Sequence, residues 1–308
     1  MKMKNVLMIG GSVFAGRVFS ILASKSGEFN LHVVNRGNFP MELPRVTQYK
    51  CNRQSPRMIA RLVPDIQYDA LIDFCGYTPG QIRPMIEALG SRIKQYIFFS
   101  TARIYADKEG YLDEYAPLAD DDISLVDDLV SGVIGNKIQL EQELVECARK
   151  AGIKYTIFRP TFIYGPYNHA PRESYFIGLI ARNEAVPLPI DATAKFSLAY
   201  VFDVAHALKA SVGDERAYDN YFNLAGDEPI TYERLLSAFE ECNGQPFETR
   251  EVTVAQVYDE NIPLPFPLTD DRLIDGKKFS NAFNFRYTPF SEGMKETFRT
   301  FLSRYTTD

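Results

Sequence analysis

Three features of the sequence predict an α/β protein built on a doubly wound parallel sheet, with a smaller α+β lobe toward the C-terminus. Near the start, an apolar run, Val6-Leu7-Met8-Ile9, passes through Gly10, Gly11 and Gly16 into a helix-patterned segment. Short strand-like runs then alternate with helical patterns up to about residue 165, as in a series of βαβ units. After Gly165-Pro166 the texture changes: Pro166, Pro171, Pro187 and Pro189, and later Pro263, Pro265 and Pro267, divide the chain into short pieces. The expected organisation is a sheet domain over residues 1–165 and a smaller lobe mainly over 166–308, with strands near 196–201 and 221–224 returning to the main sheet.

The first element, Lys4-Asn5-Val6-Leu7-Met8-Ile9, is polar at its start and then continuously apolar, which is how a strand buried on both faces reads. Beyond the glycines, Phe14, Val18, Ile21 and Leu22 form one stripe of a helix that can pack back onto the sheet. Glycine lets the backbone approach a ligand closely, and the helix start offers free N–H groups and a partial positive charge. Together they suit a pyrophosphate. Ser12 and Val13 occupy the middle of the turn, a departure from G-x-G-x-x-G, so an ordinary βα turn is the competing reading.

Leu31-His32-Val33-Val34, Ala70-Leu71-Ile72-Asp73-Phe74, Tyr96-Ile97-Phe98-Phe99 and Tyr155-Thr156-Ile157-Phe158 read as further strands. Helices are expected around 55–63, 79–91 and 128–150, the last with Leu140, Leu144, Cys147, Ala148 and Ala151 on one stripe. Another helix is expected from about Phe202 to Val212. A final one carries Met294, Phe298, Phe301, Leu302 and Tyr305 at helical spacing and reads as packing. A sheet of this type holds its ligand beyond the carboxyl ends of the strands.

Composition narrows the function classes. With 45% hydrophobic and 24% charged residues the chain is an ordinary globular one, long enough for a large core. Its net charge of -6 disfavours a nucleic-acid partner, although a local basic patch stays compatible with that total. Cys51, Cys75, Cys147 and Cys242 stand far apart, without a C-x-x-C, and there are three histidines, so neither a disulfide framework nor a metal site is expected. The apolar run after Met1-Lys2-Met3-Lys4 is short and enters the glycine turn, unlike a secretory leader, and no run approaches a membrane span. The expected location is the cytoplasm, away from membranes.

At the end of the second strand stands Asn35-Arg36-Gly37, 19 residues beyond Gly16. An acidic residue here takes the ribose 2′-hydroxyl of NAD, whereas an arginine accommodates the 2′-phosphate of NADP. Asn35 is neutral and Arg36 cationic, so NADP is expected ahead of NAD. A solvated loop arginine is the plainer reading.

Taken together, these motifs resemble the extended short-chain dehydrogenase/reductases of the NAD-dependent epimerase/dehydratase type, which carry a Rossmann-type domain, and particularly the branch of chloroplast stem-loop-binding proteins. The resemblance rests on Gly10-Gly11-x-x-Phe14-Ala15-Gly16, Asn35-Arg36-Gly37, Ile72-Asp73-Phe74-Cys75-Gly76-Tyr77, Phe99-Ser100-Thr101-Ala102-Arg103-Ile104-Tyr105, Arg159-Pro160-Thr161-Phe162-Ile163-Tyr164-Gly165-Pro166 and Tyr200-Val201-Phe202-Asp203-Val204-Ala205, in that order over nearly the whole chain. It implies cofactor contacts from Gly10, Gly11, Ser12, Phe14, Ala15, Gly16, Asn35, Arg36, Asn52, Arg53, Cys75, Gly76, Tyr77, Lys137, Pro160 and Phe162. It also implies catalytic roles for Thr101, which would bond the substrate oxygen, and for Lys137. The substrate implied is small and sugar-like, and a homodimer is open.

The family's acid/base tyrosine, four residues before the lysine, is Val133 here. A general acid contributes roughly 10²- to 10⁴-fold in rate; Ser131, Tyr105, Tyr111 and Tyr164 are the candidates to replace it. The acidic pair that dehydratases use is Ala102-Arg103. Phe196-Ser197-Leu198 stand where a diphosphate-clamping arginine is usual, leaving Lys195 as a point charge. Two functions follow as expectations: an NAD(P)-dependent epimerase or reductase with altered proton transfer, or a non-catalytic NAD(P)-binding protein that contacts a protein or RNA.

Overall fold

The computed structural model describes residues 3–106, 109–119 and 128–305, with the side chains of residues 128–133 outside that description. In chain order the first half comprises β1 (Lys4–Ile9), α1 (Phe14–Ser26), β2 (Phe29–Asn35), β3 (Val46–Lys50), α2 (Pro56–Leu62), β4 (Ala70–Asp73), α3 (Arg83–Leu89), β5 (Gln95–Phe99), β6 (Tyr111–Leu112), α4 (Asp128–Ala151) and β7 (Lys154–Pro160). The second half comprises β8 (Phe162–Tyr164), α5 (Glu173–Ala181), β9 (Val186–Pro189), β10 (Leu198–Tyr200), α6 (Val201–Ser211), β11 (Asn220–Leu224), α7 (Tyr232–Asn243), β12 (Thr249–Val252), α8 (Val254–Asp259), β13 (Leu273–Ile274), α9 (Lys277–Phe283) and α10 (Phe290–Leu302).

Seven strands form the main sheet in the order β11-β7-β5-β4-β1-β2-β3, and every pairing is parallel. The order reverses between β1 and β4, so the loops after these two strands splay apart and open a crevice. Alternation along β1 shows why its apolar run is unbroken. Val6 and Met8 join a core with Val18 and Phe19 of α1 and Val204 and Leu208 of α6, while Leu7 and Ile9 join one with Ile59, Ile86 and Leu140 of α2, α3 and α4. The edge strand β3, Val-Thr-Gln-Tyr-Lys, lacks that apolar content because it is covered less.

The segment at 196–201 departs from expectation. Leu198–Tyr200 pairs with β8 in a separate two-stranded sheet, and Val201 already begins α6. The cause is an occupied edge: β11 runs alongside β7 from Asn220↔Thr156 to Leu224↔Pro160, leaving no free ladder there. The chain leaves the sheet after Pro160 and starts a new edge with β8. Two further pairs, β12 with β9 and β13 with β6, complete the second lobe. Its helices α5, α7 and α10 meet through Phe176, Phe239 and Phe298, with ring centroids 5.7 and 6.1 Å apart. In α10, Met294, Phe298 and Phe301 are buried as packing residues.

Helix α4 is held from both sides. The Glu143 carboxylate accepts the N–H groups of Gly80 at 2.7 Å, Ile82 at 3.2 Å and Arg83 at 2.7 Å, satisfying the exposed donors at the start of α3. Two residues earlier, on the opposite face of the helix, Glu141 accepts Nη2 of Arg159 at 2.6 Å and its Nε at 3.2 Å, with both side chains almost wholly buried. Glu141→Ala would strand the Arg159 charge in the core and is expected to lower unfolding free energy by about 3–5 kcal/mol. Urea unfolding measures it. A loss below about 1 kcal/mol, the size of an exposed pair, would show that this pair does not hold α4.

Candidate functional site

The crevice between β1 and β4 is a cleft of about 630 Å³. Gly10 and Gly11 take φ of +82° and +72°, which only glycine adopts freely, so the chain turns sharply out of β1. A Cβ on Gly16 would come within 2.3 Å of Gly11 Cα, and this absence of a side chain lets α1 sit directly on the turn. No side chain caps α1 and no acid stands in its first turn, leaving its N–H groups for a ligand. Phe14 carries φ of +46° at the helix start, a strained value for a residue with a side chain.

Of the residues expected to contact cofactor, Gly10, Gly11, Ser12, Phe14, Ala15, Gly16, Asn35, Arg36, Asn52, Arg53, Cys75 and Tyr77 line this one cleft. Four do not. Gly76 lies behind it, where a Cβ would meet the Phe98 ring at 2.7 Å. Pro160 is buried in β7, beside Leu224. Phe162 faces an adjoining pocket because side chains alternate along β8, so that its neighbour Ile163 borders the cleft instead. Lys137 approaches from behind Tyr77, with Nζ 5.2 Å from the Tyr77 ring centroid.

Two polar groups in the cleft are poised but unsatisfied. Asn35 Oδ1 accepts the N–H of Gly37 and Nε2 of Gln48, both at 2.8 Å. A backbone donor fixes which amide atom is oxygen, so Nδ2 is the free end, and it is buried with no partner. Arg53 donates to Gln81 and, at 2.6 Å, to Asp73, while its Nε is also buried without a partner. Asp73 is fully buried and also accepts from Tyr96 at 2.7 Å and from the N–H of Cys75 at 3.0 Å. Burial alone would lower the Arg53 pKa, but the adjacent Asp73 carboxylate raises it, so the guanidinium is permanently charged. Burial, reinforced by Asp73, pushes the Cys75 thiol up to about 12 and keeps it protonated. The glycine cradle and the free Asn35 amide fit a dinucleotide.

Beyond the end of β5 lies the second recess, a pocket of about 390 Å³ bordered by Thr101 and by Ile134 of α4. Thr101 Oγ1 accepts the N–H of Arg103 at 3.3 Å, so the hydroxyl keeps its own hydrogen to donate. Lys137 Nζ donates to the Phe99 carbonyl at 2.9 Å, close to where cleft and pocket meet, and lies 4.6 Å from the Phe98 ring centroid. Among the described residues no group of three or more His, Cys, Asp or Glu is placed to hold a metal ion, and no helix is long and apolar enough to cross a membrane.

Residues 80–225 match the model of the NAD dependent epimerase/dehydratase family. The match covers somewhat under half of the chain. It is 26% identical over 257 residues to the chloroplast stem-loop binding protein of 41 kDa b from Arabidopsis thaliana, an alignment covering 79% of this chain and 64% of that protein. The chain thus spans somewhat under two thirds of that curated relative. The fold is similar to that of the UDP-glucuronic acid 4-epimerase of Bacillus cereus in complex with NAD, with a TM-score of 0.77 and 14% identity over 98% of this chain and 99% of that one. It is equally similar to the UDP-glucose 4-epimerase of Thermotoga maritima with UDP-glucose, with a TM-score of 0.77 and 20% identity over 99% and 100% of the two chains.

The candidates to replace the tyrosine are placed away from the two recesses or within the core. The Tyr105 hydroxyl donates to Asn223 at 2.6 Å and accepts from Arg159 at 3.0 Å, and burial raises its pKa to about 12. Tyr164 is buried between Tyr200 and Phe290, with centroids at 5.3 and 5.7 Å, and Tyr111 is exposed on β6. The side chains of Ser131 and Val133 lie outside the described residues. Lys195 is exposed and borders neither recess. Phe196, in the place of a clamping arginine, stacks on Phe266 at 4.8 Å. Sequence reasoning missed Arg172 and Arg272, which border the pocket with Arg103, because both lie in irregular segments without periodicity.

Burial lowers the Lys137 pKa to about 8 from an ordinary 10.5. Below about pH 8 the lysine is charged in folded and unfolded chains alike, and its desolvation penalty is fully felt. Between those values only the unfolded chain holds the proton, so the lysine's contribution to stability rises with pH. Relative to Lys137→Met, the native protein is expected to gain about 1–3 kcal/mol between about pH 7.5 and 10.5. Paired denaturant titrations test this, and a pH-independent difference would mean that the amine stays charged.

Proposed function

We propose that the protein is an NAD(P)-binding epimerase- or reductase-like oxidoreductase for a small polyhydroxylated substrate, in which Val133 replaces the usual acid/base tyrosine. The observation that carries this reading is the adjacency of two recesses, a glycine-turn cleft bordered by the ends of β1, β2 and β4, and a pocket opening at Thr101. When bound, the dinucleotide supplies hydride transfer at its nicotinamide. Gly10 to Gly16 and the start of α1 would hold its pyrophosphate, Asn35 and Arg36 its adenosine ribose, and Lys137 its other ribose. Thr101 would donate to the substrate oxygen. NADP is the favoured form: Arg36 stands at the cleft, no acid is present at residue 35, and Asn35 presents a donor, not an acceptor.

A charge-assisted contact to phosphate contributes about 1.5–3 kcal/mol. The preference for NADPH over NADH in a fluorescence titration is therefore expected to be roughly 10- to 100-fold and to vanish in Arg36→Ala. Equal affinities in the native protein would refute the assignment.

Because residues 133 and 137 are one helical turn apart in α4, a tyrosine at 133 would stand on the same face as Lys137. Val133→Tyr is expected to raise NADPH consumption on keto-sugars within the 10²- to 10⁴-fold range of a general acid. Native turnover that is already robust and unchanged in Val133→Tyr would mean that another group supplies the proton. Tyr77, beside Lys137, is the one to test by Tyr77→Phe. If neither protein turns over while both bind cofactor, the non-catalytic reading with a protein or RNA partner takes its place.

A further inference from the structure

Apart from both recesses lies a smaller cavity of about 250 Å³, bordered by the end of β8, by β10 and the first turn of α6, by the loop after β11 and by the chain that leads into α10. Four aromatic side chains, Tyr164, Tyr200, Tyr287 and Phe290, stand on its wall. Tyr164 lies 5.3 Å from Tyr200 and 5.7 Å from Phe290 between ring centroids, with the planes inclined by 38° and 60°, so these three rings make a bent wall, not a flat stack. Tyr164 is 2% exposed, and no hydrogen bond joins its hydroxyl to another described residue.

The charge on this wall has one sign. Asp203, Asp227 and Glu228 border the cavity, and among the described residues no lysine, arginine or histidine does. Asp203 is almost wholly buried; its carboxylate accepts the N–H and the hydroxyl of Thr288 at 2.8 and 2.7 Å, and burial raises its pKa. After burial, the groups that raise the pKa of Tyr164 and Tyr200 most are the carboxylates of Asp203 and Glu296. At the rim a cation already uses these elements: Arg234 donates to Glu228 at 2.7 Å and lies 5.2 Å from the Phe290 ring centroid.

Aromatic rings present a negative face, and a cation enclosed by several of them is attracted most where water is excluded. Alkyl groups on the nitrogen of such a cation spread its charge over apolar surface that the rings can cover, and the acids answer the charge. The volume lies below the roughly 300–1,000 Å³ of sites for drug-sized ligands, which limits the occupant to a few heavy atoms. We propose that this cavity binds a small alkylated ammonium ion of about the size of choline, held against Tyr164, Tyr200, Tyr287 and Phe290 and balanced by Asp203 and Asp227. The site shares no residue with the other two recesses but adjoins them through β8, where Phe162 borders the Thr101 pocket, Ile163 the cleft and Tyr164 this cavity.

Calorimetric titration of the full chain with tetramethylammonium, choline, glycine betaine and 3,3-dimethylbutan-1-ol, the uncharged carbon analogue of choline, tests the site. Choline is expected to bind at least about tenfold more tightly than its uncharged analogue, and glycine betaine more weakly than choline because its carboxylate meets the acids. Residue 227 is exposed in a loop, so Asp227→Lys keeps the fold, which urea unfolding checks. This variant is expected to weaken binding of tetramethylammonium and choline by about tenfold or more, through like-charge repulsion. Tyr164→Phe, which keeps the ring, is expected to retain tetramethylammonium, and Tyr164→Leu to lose it. No binding of either cation by the native chain, equal binding of choline and its uncharged analogue, or cation binding undiminished in Asp227→Lys would overturn the proposal.

Discussion

An arginine buried near the end of an inner parallel strand needs a counter-ion and a partner for each donor, and Arg159, next to last in β7, draws these from several parts of the chain. Glu141 of α4 takes Nε and Nη2, while the Tyr105 hydroxyl and the Glu114 carbonyl take Nη1 at 3.0 and 3.2 Å. The network then passes onward. Tyr105 donates to Asn223 of β11, whose side-chain amide donates to the Leu112 carbonyl at 3.1 Å and whose N–H bonds the Glu114 carboxylate at 2.7 Å. Burying so many polar atoms together is favourable only when all are matched, so the network permits little sliding. It fixes the rotation of α4, and Lys137, one turn before Glu141 on the same face, is thereby aimed at the end of β5.

The two recesses are built differently. In the glycine-turn cleft the cation Arg53 is matched internally by Asp73, which also accepts from Tyr96 and the Cys75 N–H, leaving a wall with a free amide at Asn35. Such a wall suits a ligand recognised by shape, backbone donors and one or two directed bonds. The Thr101 pocket instead has Arg103, Arg172, Arg272 and Asp270 on its border among apolar and hydroxyl side chains. The difference arises from the elements involved. The cleft is built by consecutive βα units, whereas the pocket is closed by irregular chain from three distant segments.

Lys137, Thr101 and the glycine turn are held by the sheet and by α4. The Tyr105 hydroxyl is held as firmly, since its two hydrogen bonds to Arg159 and Asn223 commit it to the core.

The sequence alone determined the sheet, its main strands and helices, the glycine turn and the gathering of residues 10–16, 35–36, 52–53, 75 and 77. The elements and the turn follow from local rules, in that strands buried on both faces are continuously apolar, helices repeat at 3.6 residues and βα units deliver their loops to one edge, whereas residues 52–53, 75 and 77 were implied by the family resemblance. What only the tertiary structure decided depends on distant partners. Leu198–Tyr200 left the main sheet because β11 already filled the edge beside β7. Phe162 turned to the pocket through the register of β8, and Asn35 presented its nitrogen because Gly37 and Gln48 occupied its oxygen. Arg103, Arg172 and Arg272 came to border one pocket only when three distant segments folded together beyond the end of β5, and no periodicity records an arrangement of that kind.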